Sequence, residues 1–194
     1  MNLRAVFSIA MLVAAPLIAG ESGIVKGGLI LDLDAEKDVK VEDGKVVLWK
    51  NQAEFKAKDF EGRRVDGRPT VREKVEALGG HKSLIFKKQE LVNYDEDAFD
   101  HLTTGSGYTW FTVIAPYKQN PGLKDVNSFF GNLKNGGNYE GFWGCFNDDN
   151  SVWIGSRNST TFGRWNADNP KVNGPKLEEN RFYIVAGRMG ADTG

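Results

Sequence analysis

Residues 139–165 constrain the fold more than any other part of the chain. The stretch runs Tyr139-Glu-Gly-Phe-Trp-Gly-Cys-Phe146, turns through Asn147-Asp148-Asp149-Asn150, and continues Ser151-Val-Trp-Ile-Gly-Ser-Arg157. After a polar segment it closes with Thr161-Phe-Gly-Arg-Trp165. Aromatic residues and glycines in short runs, broken by Asn/Asp clusters, are the pattern of adjacent antiparallel strands. The first run is apolar on both faces, which predicts a strand inside a sheet and not at its edge.

The turn fixes the register of the first two runs. With Asp148-Asp149-Asn150 as a three-residue loop, Asn150 takes the left-handed conformation that Asn tolerates. Phe146 then faces Val152, Cys145 faces Trp153, Trp143 faces Gly155 and Phe142 faces Ser156. One face becomes Phe142, Phe146, Val152 and Ile154, a set suited to a core. The other face carries Tyr139, Trp143, Trp153 and Arg157. A slip of one residue would mix the two sets. Planar rings suit the apolar faces of sugars and a guanidinium donates to hydroxyls, so these four are the candidate ligand-binding residues. The alternative is a face covered by another part of the chain, since large aromatics are mostly buried.

The rest of the chain reads in the same idiom. Residues 28–34 alternate, with Leu29, Leu31 and Leu33 on one face and Ile30, Asp32 and Asp34 on the other, which predicts a half-buried strand. Residues 45–49 form a second strand, and residues 52–74 read as a long, charged, solvated loop. Further strands are expected over residues 81–86, 108–115, 126–131 and 181–189. The run 108–115 is apolar on both faces and is expected at the centre of a sheet. The acidic segment 95–100 suits a short helical turn, and residues 169–175 read as a Pro/Asn-rich connection. About nine or ten strands with frequent turns, and 23 glycines, point to an all-β sandwich.

The N-terminus follows a different rule. Met1-Asn2-Leu3-Arg4 is a short basic start, residues 5–18 are almost wholly apolar, and Ala19-Gly20 precedes the polar Glu21-Ser22. This is the three-part pattern of a secretory signal peptide, too short for a comfortable membrane span. Residues 1–20 are therefore assigned to a signal and residues 21–194 to the folded domain, exported to the periplasm, the cell surface or beyond. Cys145 is the only cysteine, so no intrachain disulfide staples the domain. Its apolar flanks predict a buried, inert thiol.

By residue 188 the order of elements resembles a known family. Leu31-Asp32-Leu33-Asp34-Ala35, Val47-Leu48-Trp49-Lys50-Asn51-Gln52 and Arg68-Pro69-Thr70 are similar to the opening of bacterial laminin-G-like jelly rolls. So are Gly80, Ser83, Leu84 and Phe86 after them. Tyr108-Thr-Trp-Phe-Thr-Val113 and Arg181-Phe-Tyr-Ile-Val-Ala-Gly187 resemble the two long core strands of that fold, which belongs to the concanavalin A-like lectin and glucanase superfamily. The resemblance spans residues 28–194. It implies a two-sheet antiparallel jelly-roll sandwich and a returning strand after Gly190, so that this chain would be part of a longer protein.

An enzyme of that superfamily would be a glycoside hydrolase with two carboxylates about 5–9.5 Å apart. Its glucanase members carry them as a Glu-x-Asp-x-Glu type pattern on one strand face, which this sequence lacks. Glu96-Asp97 and Asp148-Asp149 are adjacent pairs that a strand would point to opposite faces. Asp32 and Asp34 share a face, but on a strand that reads as a solvated outer surface. His81 and His101 stand in no metal-ligand spacing. Gly105-Ser106-Gly107 lacks the strand-to-helix setting of a nucleophile elbow, and no phosphate-binding glycine loop is present. Asn158-Ser159-Thr160 matches a glycosylation acceptor, relevant only in a eukaryotic secretory pathway.

Asp148, Asp149 and Asn150 offer hard oxygens to calcium, but the same residues are what a tight hairpin turn requires. With a net charge of −1 and interspersed charges, no broad basic surface for nucleic acid or membrane headgroups is expected. The sequence thus points to an exported, non-catalytic jelly-roll module that binds carbohydrate or a cell-surface protein, without a cofactor unless calcium. A glycoside hydrolase and a structural adhesion domain are the alternatives.

Overall fold

The computed structural model describes residues 27–54, 58–63, 67–95, 97–103, 107–119, 127–131, 141–157 and 172–190. The signal-like residues 1–20, Tyr139, Asn158 and the run 161–165 lie outside them. Helical structure among the described residues is confined to two short 3-10 turns, Glu76–Leu78 and Asp100–Thr103. The rest is antiparallel β-structure, as the alternation and the glycine-rich turns predict.

The hairpin at the centre of the sequence argument forms in the expected register. Strands β9 (Gly141–Phe146) and β10 (Ser151–Arg157) pair Phe146 with Val152, Cys145 with Trp153, Trp143 with Gly155 and Phe142 with Ser156. Asn150 sits at φ 65°, the left-handed turn position. β9 lies inside a four-stranded sheet of order β11-β10-β9-β8, with β8 at Ser128–Gly131 and β11 at Val172–Lys176. β11 occupies what reads in sequence as a Pro/Asn-rich connection. As an edge strand it can hold Pro175, whose missing N–H then interrupts no interior ladder.

A two-stranded ribbon of β7 (Tyr108–Ile114) and β12 (Tyr183–Met189) packs against this sheet. Its inner face presents Tyr108, Trp110, Ile114, Tyr183 and Val185. Trp110 lies edge-on to Phe130, with ring centres 4.5 Å apart, and to Phe129 at 6.0 Å. Tyr108 meets Phe142 at 5.5 Å, and Ile114, Tyr183 and Val185 pack on Phe146, Val152 and Leu177. Glycine makes this contact close enough. A Cβ on Gly144 would lie 2.5 Å from Phe130 and 2.6 Å from Phe129, and one on Gly187 would enter the Trp110 indole. β7 is therefore not a central strand among the described residues: it pairs only with β12. Its apolar residues on the second face, Phe111 and Val113, remain in solvent.

The N-terminal part is organised around one side chain. Residues 29–34 alternate as a strand would, yet they form no strand ladder. They are tied down by buried Asn51, whose Oδ1 accepts from Asp32 N (2.9 Å) and Ala53 N (3.1 Å) while its Nδ2 donates to Ile30 O (3.1 Å). Trp49 Nε1 donates to Asp34 O at 3.0 Å, just along the same segment. Asn51 follows β2 (Lys45–Trp49), which stands between β1 (Val39–Glu42) and β3 (Phe60–Gly62) in a sheet completed by β6 (Leu91–Val92). A small β4–β5 pair (Thr70–Arg72, Ser83–Ile85) joins it through Val46 N donating to Pro69 O at 2.9 Å. The expected loop over residues 52–74 thus contains two strands, each of three residues and too short to show a period.

Asn51→Ala would strand two donors and one acceptor at once. It should lower unfolding stability by about 2–4 kcal/mol, the cost of leaving buried backbone groups unpaired. Urea denaturation checks this: the midpoint should fall with the slope unchanged, and an unshifted midpoint would show that water replaces the amide.

Candidate functional site

The turn between β9 and β10 is built from its own side chains. Asn147 N donates to Ser151 O (2.9 Å) and Asn150 N to Asn147 O (3.0 Å), which closes the loop. Asp149 Oδ1 accepts from Ser151 N at 3.0 Å and from Ser151 Oγ at 2.7 Å. Those two bonds hold the Asp149 carboxyl below its usual pKa, the hydroxyl contributing most. Asp149 is thereby committed to the turn. Asn150 serves the turn through its backbone, and Oδ1 of Asp148 and of Asn150 is buried with no hydrogen-bond partner among the described residues.

Trp143 and Trp153 are brought together on the face opposite the aromatic ribbon contact, with ring centres 6.0 Å apart in an edge-on arrangement. Both are covered: Trp143 is 3% exposed and Trp153 6%, and with Cys145 they form a buried cluster. The 3-10 turn Asp100–Thr103 lies against β9, and the neighbouring Ala98 and Leu102 are buried. Of the two readings left open by the sequence, an open platform and a covered face, this structure holds the second for the tryptophans. Tyr139 and the Arg157 side chain lie outside the described residues. The thiol of Cys145 is buried, as its flanks predict.

Of the acidic pair Asp32 and Asp34, the Asp34 carboxylate serves local structure. Asp34 Oδ1 accepts from Glu36 N (2.9 Å) and Oδ2 pairs with Lys37 (3.1 Å), which together hold its carboxyl below the usual range, the backbone bond foremost. His81 Nδ1 stands 3.3 Å from Glu36 Oε1, and Lys82 N donates to the same oxygen at 2.7 Å. Among the described residues no group of three or more His, Cys, Asp or Glu side chains is placed to hold a metal ion. No described helix is long and apolar enough to cross a membrane.

Sequence reasoning passed over the outer face of the ribbon. There Phe111 is 74% exposed, Val113 56% and Ile184 77%, and Val113 pairs directly with Ile184 while Phe111 faces Ala186. Thr109 and Arg188 close one end of this surface. The signal was present in the sequence, because β7 is apolar on both faces, but it reads equally as a strand buried on both sides. The flank of the core between β10, β11 and β12 leaves an apolar cleft of about 260 Å³, lined by Val152, Ile154, Leu177, Tyr183 and Val185. It is continuous with the core cluster and is lined mostly by aliphatic side chains.

No family profile, no curated protein and no solved structure matches the chain.

Two outcomes are expected from this geometry. Trp153→Ala would open a cavity beside Trp143 and cost about 3–5 kcal/mol, read by chemical denaturation. A loss within 1 kcal/mol would place the ring in solvent. Burial also holds the Tyr108 phenol above its usual pKa, against a smaller downward pull from the Ser156 hydroxyl. The folded state therefore keeps that proton to higher pH than the unfolded chain. Its contribution is whole below about pH 10 and is lost as pH rises through the folded pKa. Stability measured across the alkaline range should fall more steeply in the native protein than in Tyr108→Phe.

Proposed function

We propose that this chain is a non-catalytic β-sandwich binding module that docks a protein partner through the outer face of β7 and β12. The observation that carries the reading is the contiguous exposure of Phe111, Val113 and Ile184 on one side of a two-stranded ribbon. Large apolar surfaces left in solvent mark interaction sites in folded proteins. Sugar recognition needs convergent hydrogen-bonding groups beside its stacking rings. This face offers aliphatic and phenyl groups, with Thr109 and Arg188 only at one end. Its chemistry matches an apolar protein surface better than a glycan.

Export and a jelly-roll topology are parts of the same proposal. They rest on the basic-apolar-small pattern of residues 1–20 and on the resemblance of element order to laminin-G-like domains. Carbohydrate binding is the second reading, favoured by the same resemblance and by the aromatic stretch around the hairpin. Because Trp143 and Trp153 are buried, stacking a sugar on them would require their cover to move. Trp153→Ala, which perturbs the core, is for the same reason no clean test of binding.

A photo-crosslinking phenylalanine analogue at position 111 tests the proposal directly. On the surface of cells from the source organism it should give one discrete protein adduct. That adduct should disappear when Val113→Asp is added to a protein of unchanged melting temperature. Absence of a discrete adduct, together with retention on a polysaccharide panel, would overturn protein docking in favour of the carbohydrate reading.

A further inference from the structure

Tyr183, Ile184, Val185 and Ala186, consecutive residues of β12, all line the apolar cleft of about 260 Å³ beside the core. Side chains of consecutive strand residues point to opposite faces. A cleft that touches both faces of β12 therefore runs along the edge of the strand. That edge is open. β12 pairs with β7 alone among the described residues, and β7 contributes no described residue to the cleft wall. Alternate N–H and C=O groups over Tyr183–Met189 consequently point away from β7, toward the cleft.

The far wall of the cleft is the edge strand β11 together with Val152, Ile154 and Leu177. The two edges are not alike. β11 carries Pro175, which has no N–H to offer, and Lys176, and both residue types discourage pairing at an edge. β12 has no proline over its 7 residues, and its charged residue, Arg188, stands near the end. No charged side chain lines the cleft, and the Tyr183 hydroxyl already accepts from Glu178 N at 3.1 Å. The cleft is smaller than the roughly 300–1,000 Å³ of pockets that enclose a small ligand. Its size suits one or two apolar side chains whose backbone is held outside it.

We propose that β12 accepts an extended segment of a protein partner as an added strand, with apolar residues at alternate positions of that segment. This rests on the reading of the chain as a protein-docking module and extends it from the outer face to the strand edge. Main-chain groups of the segment complete the ladder of β12. One row of its side chains enters the cleft against Val152 and Leu177, and the other row prolongs the outer surface of Phe111 and Ile184. A second copy of this chain fits less well. Its own β12 would arrive with Tyr183 and Val185 already packed on Phe146, Val152 and Leu177, which leaves no inward side chain to fill the cleft.

A phage-displayed library of random dodecapeptides is panned on the immobilised full chain, and the most enriched peptide is resynthesised. It should carry apolar residues at alternate positions with no proline between them. Two versions N-methylated on alternate amides separate an added strand from a merely apolar contact. Methylating the set that faces β12 should weaken binding about tenfold or more, the loss of two or three ladder hydrogen bonds, and methylating the other set should leave it unchanged. Val172→Asp, at a cleft residue that is 67% exposed, should abolish binding at an unchanged melting temperature. Equal binding by the two methylated peptides, or no enriched peptide, would overturn the proposal. A dimer in sedimentation that Val172→Asp dissolves, with no peptide recovered, would assign the edge to a second copy. A crosslink from position 111 that persists undiminished in Val172→Asp would overturn the added strand and spare docking on the outer face. Peptide binding without any such crosslink would do the reverse.

Discussion

The close approach of aromatic side chains to two glycines is the contact on which the rest of the arrangement depends. Gly144 in β9 leaves room for Phe129 and Phe130, and Gly187 in β12 leaves room for Trp110. Those rings then meet one another, Trp110 to Phe130 at 4.5 Å and to Phe129 at 6.0 Å, and bind ribbon to sheet. A side chain at either glycine would have to displace rings already packed edge-on. Overpacking of that kind costs about 1–3 kcal/mol in a dense core. Because this contact decides which face of β7 and β12 turns inward, it also decides that Phe111, Val113 and Ile184 turn outward. The exposed surface is the geometric consequence of the buried one.

The hairpin was legible because its determinants are local. A three-residue turn sets the register, the period of two then sorts every side chain, and the observed pairs from Phe146–Val152 to Phe142–Ser156 follow. What lies over each sorted face is a tertiary fact with no local signature. Phe142 and Ile154 read as core and are only partly buried, while Trp143 and Trp153 on the other face are among the most buried residues of the hairpin. Both faces of this sheet are occupied, which alternation alone cannot distinguish from one occupied face and one binding face.

The misread segments fail for equally specific reasons. Residues 29–34 carry a strand's alternation, but a side-chain amide takes over what a neighbouring strand would supply: Asn51 bonds Asp32 N and Ile30 O. A pattern of apolar residues reports which way side chains point, not which group satisfies the backbone. Strands β3 and β4, three residues each, are shorter than the window in which any period can be seen. For β7 the apolar content on two faces reads as burial on two sides, which holds for interior strands of parallel or stacked sheets. In a ribbon packed on one side only, the same composition produces an exposed apolar surface.

That distinction separates the chemistry of two parts of the surface. The outer face of β7 and β12 is apolar and nearly free of titratable groups, so association there should depend weakly on salt and pH and strongly on the fit of an apolar partner. The hairpin corner is the opposite case, small and polar, with Oδ1 of Asp148 and of Asn150 buried and unpaired among the described residues. The corner lies at the end of β9 and β10, against Leu177, whereas Phe111 and Ile184 face away from the packed sheet. The physical link between the two is Ile114, Tyr183 and Val185, the ribbon residues packed on Phe146, Val152 and Leu177, so a change in the packing of the hairpin reaches the outer face only through the inner one.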